Sequence, residues 1–94
     1  MKYIVRPTNQ FQKDLKLAQR RGYNMQAITD VIKKLADGET LPKKNCDHAL
    51  SGKYKGCREC HIQPDWLLIY EIENQELILY LSRTGTHSDL FSKK

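Results

Sequence analysis

No uninterrupted apolar run in this 94-residue sequence exceeds five residues, Trp66 to Tyr70 being one such run. A bilayer-spanning helix needs roughly 20, so no membrane segment and no membrane partner is expected. The opening stretch Met1-Lys2-Tyr3-Ile4-Val5-Arg6-Pro7 offers three apolar residues before Arg6 and Pro7 interrupt it. That is too short for the core of a secretory signal, and the expected compartment is the cytoplasm. Cysteine is scarce and odd in number, at Cys46, Cys57 and Cys60, which argues against a disulfide framework. No repeat, linker or low-complexity segment breaks the chain. No cluster of carboxylates stands ready for a hard metal ion, and no cofactor is expected. With 39% hydrophobic and 29% charged residues, the chain is too apolar for disorder and too short for two cores. A single soluble domain over residues 1–94 is expected.

Positive charge is what the sequence has in excess. Sixteen Lys and Arg against 11 Asp and Glu give +5. Residues 1–47 hold ten basic and five acidic residues (10 − 5 = +5), and residues 48–94 hold six of each (6 − 6 = 0). The whole excess lies in the first half. A basic surface fits a polyanionic partner, nucleic acid or an acidic protein; it fits a solvated helical face as well.

The segment Cys57-Arg58-Glu59-Cys60-His61 matches the C-x-x-C-H pattern of covalent haem attachment, and with Cys46 it resembles a zinc site. The residues run into a strand-like stretch, and in a strand positions i and i+3 point to opposite faces. Cys57 and Cys60 then cannot reach one ion or one haem edge together, and read as half-buried thiols in a reducing compartment.

Tyr3-Ile4-Val5, ended by Pro7, reads as a first strand. Thr8 or Asn9 can cap a helix with Phe11, Leu15 and Ala18 at i, i+4 and i+7, stopped by Gly22. A second helix fits Asn24 to Asp37, with Met25, Ile28, Ile32 and Leu35 on one stripe and Gly38 after it. Lys13, Lys16 and Arg20 share the first helix's outer face, followed by Arg21, so the pair is a hairpin, apolar inside and basic outside. After the loop 39–51, Gly52 and Gly56 bracket a turn. Residues 57–62, 66–72 and 76–82 read as strands joined through Pro64-Asp65 and a tight turn at Glu73-Asn74-Gln75. Ser88 to Phe91 fits one helical turn. The expected fold is α+β in β-α-α-β-β-β order, a helical hairpin on a small, mostly antiparallel sheet.

All three histidines, His48, His61 and His87, fall in the neutral half, near strand ends or in loops. Each alone reads as a surface or satisfied polar residue. Their company, Asp47-His48, His61-x3-Asp65-Trp66 and Arg83-x3-His87-x3-Phe91, is what RNA cleavage by its own 2′-hydroxyl requires: a base, an acid and a cation for the phosphorane. Arg83 fits phosphate with its planar fork, and Trp66 and Phe91 could stack on unpaired bases. Structural alternatives stand beside these: Trp66 as core, Arg83 paired with Asp65 or Glu59, Phe91 as a plug on the sheet.

Three segments, Asp47 to Gly56, Arg58-x2-His61-Ile62-x-Pro64-Asp65-Trp66-Leu67-Leu68-Ile69-Tyr70 and Arg83 to Phe91, together with the helical Phe11-x-Lys13-Asp14-x2-Leu17-Ala18, resemble the YafQ-like branch of the RelE/ParE toxin superfamily. The likeness covers nearly the whole chain. It implies a RelE-like fold and a toxin of a type II toxin–antitoxin pair, a ribosome-dependent endoribonuclease that cuts mRNA and is neutralised by a cognate antitoxin. A complex with that antitoxin would bind operator DNA through the antitoxin. The family's catalytic and substrate-contacting positions correspond to His48, His61, Asp65, Arg83, His87 and Phe91. By analogy His87 with His61 or Asp65 handles protons, Arg83 steadies the phosphate, and His48 and Phe91 position RNA. Cys57 and Cys60 depart from the family pattern, where an aromatic and a small residue are commoner, and leave room for thiol sensitivity. The surface expected to grip ribosomal RNA comprises Lys13, Lys16, Arg20, Arg21, Lys33, Lys34, Lys43 and Lys44, and Lys53, Lys55 and Trp66 are also expected to bind RNA or the ribosome. The alternative is the ParE-like mode, a non-nuclease that binds DNA gyrase.

Overall fold

In a computed structural model that describes residues 1–91, the chain runs β1 (Ile4–Pro7), α1 (Asn9–Arg20), α2 (Met25–Ala36), β2 (His48–Ala49), β3 (Arg58–Gln63), β4 (Trp66–Glu73), β5 (Ile78–Gly85) and α3 (His87–Phe91). Short 3₁₀ turns at Lys43–Asn45 and Gly52–Tyr54 flank β2. The helices begin at side-chain caps. Thr8 Oγ1 accepts from Phe11 N at 3.0 Å, and Asn24 Oδ1 accepts from Gln26 N and Ala27 N, meeting amide groups that a first turn leaves unpaired. Gly22 and Gly38, both at φ +80°, turn the chain out of α1 and α2 in the left-handed region that glycine enters without a Cβ penalty. None of the described helices is long and apolar enough to cross a membrane.

The sheet order is β1-β5-β4-β3-β2. β1 pairs parallel to β5 and every other pair is antiparallel. One face carries the main core, where Phe11 and Ala18 of α1 and Ile28, Val31 and Leu35 of α2 meet Cys60, Trp66, Leu68, Tyr70, Leu79 and Leu81. The opposite face has a smaller cluster, Leu67, Ile69 and Leu90, edged by Leu50, Tyr54 and Cys57. Cys57 and Cys60 thus lie in different clusters, on opposite sides of the sheet.

The α+β reading of the sequence agrees with this architecture, and three details differ. The strand β2 is absent from the sequence reading because two residues carry no periodicity. The β4–β5 connection is a four-residue turn, residues 74–77, with Leu77 at φ +57°, so β5 starts at Ile78 and not at Glu76. The buried stripe of α2 is Ile28, Val31 and Leu35, with Ile32 only partly buried.

Candidate functional site

The face of the sheet away from α1 and α2 gathers the histidines. Residues directly opposite in an antiparallel ladder share a face. His48 is opposite Glu59, Glu59 opposite Ile69, and His61 opposite Leu67, so all three polar residues stand beside the small Leu67–Ile69–Leu90 cluster. Arg83 joins them through an irregularity. Ile69 pairs with Arg83 while Tyr70 pairs with Leu81, which leaves Ser82 as the extra residue of a β-bulge. Strict alternation would put Arg83 on the helix side with Leu79 and Leu81; the bulge moves it to the other face. α3 completes the site by carrying His87 and Phe91.

Distances tie these groups into a line. Asp65 Oδ1 accepts from His87 N at 3.1 Å and lies 2.7 Å from His87 Nδ1; this contact assigns the proton to Nδ1 and leaves Nε2 free. The same hydrogen bond holds the Asp65 carboxyl below its ordinary range, so Asp65 stays ionised through neutral pH. The His87 and His61 rings meet edge to face with centroids 5.7 Å apart. His61 Nε2 is 3.9 Å from Glu59 Oε1, and His48 Nε2 is 3.6 Å from the same oxygen. Glu59 is only 4% exposed, so its carboxylate forms the floor between two imidazoles. One donor atom each from Glu59, His61 and His87 fit within 4.8 Å of one another, a set able to hold a metal ion. The Phe91 ring packs on Tyr54 (5.7 Å, T-shaped) and on His87 (6.4 Å), and is 42% exposed.

Side chains outside this line hold it in place. Asp47 accepts from Tyr70 Oη at 2.5 Å and Arg58 Nε at 2.9 Å, pinning the chain so that the next residue, His48, faces the open side. His48 Nδ1 lies 2.8 Å from Cys46 O, which turns Nε2 to Glu59. Asp14 of α1 takes Arg83 Nε and Nη2, each at 3.0 Å, and the Thr84 amide at 3.2 Å. This happens where β5 runs on past the end of β1 at Pro7–Leu81 and its edge is free. Asp89 receives Arg21 Nη1 at 2.6 Å and Nη2 at 3.2 Å, which ties α3 to the end of α1. Thr86 and Asp89 also exchange hydrogen bonds, Thr86 N to Asp89 Oδ2 and Asp89 N to Thr86 Oγ1, a capping box that starts α3. A Cβ at Gly85 would stand 2.9 Å from Asp89 Cβ, so only glycine lets α3 fold back so closely.

Comparison with known proteins bears on this arrangement. The family model described as bacterial toxin of type II toxin–antitoxin system, YafQ, matches residues 3–92. The chain belongs to the YafQ toxin family. The mRNA interferase toxin YafQ of Escherichia coli K12 is 40% identical over 85 residues, 89% of this chain and 90% of that protein. The YafQ in the E. coli DinJ-YafQ toxin–antitoxin complex superposes with a TM-score of 0.87 at 36% identity, covering 98% of this chain and 100% of that one. A metal-bound toxin from Helicobacter pylori superposes with a TM-score of 0.89 at 40% identity, covering 95% and 99%.

In this YafQ-family toxin the six residues expected at the catalytic centre all come to the open face: Asp65, His87, His61, His48 and Phe91 lie along it, and Arg83, brought there by the bulge, is held by Asp14 and not by Asp65 or Glu59. Trp66 requires a correction: at 2% exposure it packs on Tyr23 (ring centroids 4.9 Å) in the helix-side core, and no ring face remains for a base. Its place opposite Gln63, past the register shift in β3, turns it inward. Arg21 is not a free cation either, since Asp89 holds it. Lys13, Lys16 and Arg20 on α1, Lys33 and Lys34 on α2, and Lys43 in the following turn are exposed. Lys44 lines a groove together with His61, so it borders the histidine face. Lys53 and Lys55 flank Tyr54, with Lys53 Nζ 5.4 Å from that ring. Sequence reasoning gave no site role to Glu59 or Asp14 and had Asp47 only as the neighbour of His48. The alternation in β3 that puts Glu59 two residues before His61 was a signal for the first; Asp14 is 69 positions from Arg83 and left none.

Proposed function

We propose that this toxin cuts mRNA on the ribosome, with His61 and His87 dividing the proton transfers, and that a cognate antitoxin silences it. Membership of the family makes the chain a toxin of a type II toxin–antitoxin pair, and relatives named mRNA interferases give the reaction class, endoribonuclease. The observation that carries the reading is the unbroken polar line Asp65–His87–His61–Glu59–His48 over one open face. In the reaction the 2′-oxygen attacks the adjacent phosphorus as a base removes its proton. The P–O5′ bond breaks as an acid protonates the leaving oxygen, giving a 2′,3′-cyclic phosphate and a 5′-hydroxyl. Two imidazoles at this separation supply both roles, Asp65 fixes the His87 tautomer, and Glu59 forms an ion pair with whichever neighbouring ring carries two protons. Asp14 occupies Nε and Nη2 of Arg83, so Nη1 meets the phosphate as charge builds. The exposed face of Phe91 suits a displaced base. The exposed lysines of α1 and α2 suit ribosomal RNA.

The test is cleavage of a defined mRNA with and without ribosomes. Discrete cuts that need translation, end in 2′,3′-cyclic phosphate and vanish with a 2′-deoxy nucleotide at the cut site are expected. Cutting that tolerates the 2′-deoxy substitution would refute the mechanism, and DNA damage without RNA cuts would favour the gyrase-directed mode. Mixing with the antitoxin should end cutting in a stable complex, and operator DNA should be retained only when that antitoxin is present.

A further inference from the structure

We propose that a groove at the outer edge of β3 binds one unpaired nucleobase of the mRNA, beside the phosphate that is cut, and that Gln63 and Lys44 read its edge. The inference rests on the function proposed above and names the contact that gives it a sequence preference. The groove has a volume of about 310 Å3 and is lined by Lys44, Asn45, His61, Ile62, Gln63 and Pro64. Small-molecule sites begin at roughly 300 Å3, so there is room for one base and not for a stretch of chain.

The fold leaves this edge open. β2 pairs only with Arg58 and Glu59, so among the described residues no strand covers β3 on that side beyond Glu59. The turn at Lys43–Asn45 lies there instead. Asn45, only 6% exposed, donates from Nδ2 to His61 O at 2.7 Å. That bond fixes the backbone beneath His61 and assigns the other end of the Asn45 carboxamide, Oδ1, as an acceptor. The register shift after His61 breaks the alternation of the strand, and three successive residues, His61, Ile62 and Gln63, all line the groove.

The lining suits a base. Ile62 and Pro64 offer apolar surface to a ring, the Gln63 carboxamide offers a donor and an acceptor in one plane, and Lys44 offers a cationic donor. Gln63 and Lys44 are exposed, so both side chains are free to meet a ligand. None of the described lining residues is acidic, so no carboxylate repels the flanking phosphates. Position points the same way. His61 forms one wall, the His87 ring lies 5.7 Å from it, and Phe91 lies 6.4 Å from His87. Phe91 and the groove therefore flank the imidazole pair, and RNA whose phosphate sits at that pair sends one neighbouring base to each. Stacking on Phe91 accepts any base, whereas hydrogen bonds in the groove distinguish one base from another.

The experiment is a nuclear magnetic resonance titration of isotope-labelled toxin with each of the four homotrinucleotides, made 2′-deoxy at the sugars that precede a phosphate so that they are not cut. The side-chain amide signals of Asn45 and Gln63 should shift saturably, and the best-bound base should exceed the weakest by at least ~5-fold in affinity. Gln63→Ala, at an exposed position, should melt with the parent and lose that difference. In translated mRNA, sequenced ends should show a base preference beside the cut. Gln63→Ala should flatten it, and Gln63→Glu, which keeps the acceptors and loses the donor, should redirect it. A merely structural role for Gln63 would lower the rate and leave the preference as it was. Shifts confined to His87 and Phe91, equal affinity for all four bases, or an unchanged preference in both variants would overturn the groove while leaving the nuclease in place. Saturable, base-selective binding there by a toxin that cuts nothing would count against the nuclease reading and support the groove.

Discussion

Replacing Asp89 with Asn should loosen α3 from α1 and reveal how far the site depends on that tether. Asp89 Oδ2 receives Arg21 Nη1 at 2.6 Å and Thr86 N at 3.0 Å. Asparagine keeps a carbonyl oxygen for the Thr86 amide, so the charge is what changes. Its hydrogen bond with Arg21 holds the Asp89 carboxyl down from 3.8 to about 2, a ceiling of about 2.4 kcal/mol at 1.36 kcal/mol per pKa unit. The two side chains are 26% and 34% exposed, and screening at such exposure brings the contribution to about 1 kcal/mol. For a domain of this size that is ~4–8 °C of melting temperature. The sign follows from the depressed carboxyl. The contribution is complete above the unfolded value of roughly 4, declines as pH falls from there, and is gone below about 2. Thermal melts of Asp89→Asn and parent should therefore differ by that margin at neutral pH and converge between about pH 4 and pH 2, the gap narrowing also at molar salt. Because α3 carries His87 and Phe91, RNA cutting by the folded variant should fall as well. Equal melting at neutral pH, or a gap that persists unchanged into acid, would refute the tether.

Ala at His61 or His87 should lower the cleavage rate ~10²- to 10⁴-fold with circular dichroism unchanged; a full rate in either variant would remove that residue from the chemistry. Asp14→Asn should cost about 1–3 kcal/mol of stability, because Arg83 and the Thr84 amide lose a charged acceptor, and should also impair cutting through Arg83; denaturant melts beside cleavage kinetics test both. Charge reversal at Lys13 and Lys16 should reduce the slope of log ribosome affinity against log salt by about 1 for each phosphate left without its lysine, and an unchanged slope would free α1 from any docking role. Trp66→Ala should lower stability by ~3–5 kcal/mol as a core deletion, read by denaturant melts.

Local pattern was enough for the two capped helices, the first strand and the three long strands after the hairpin, and the opposite placement of Cys57 and Cys60, because each depends on neighbours within a turn or along one strand. Thr8 and Asn24 announce the helices by chemistry their own amides need. The family resemblance lies in segments 47–56, 58–70 and 83–91, which named six of the residues on the open face. What the sequence leaves open is set by contacts between distant segments. The bulge at Ser82 decides which face Arg83 takes, and nothing in Leu81-Ser82-Arg83 distinguishes it from plain alternation. Asp14 and Arg83 meet only because α1 covers the edge that β1 leaves free. Glu59 becomes significant when β2 and β3 bring His48 over it, and Trp66, plausible as a stacking platform, turns inward at the irregular start of β4. Residue types and spacing marked the histidines, Asp65 and Arg83 as candidates for proton transfer beside phosphate; the tertiary structure alone decided which of these side chains face one another, because a sheet's register and bulges are fixed by the packing of both its faces at once.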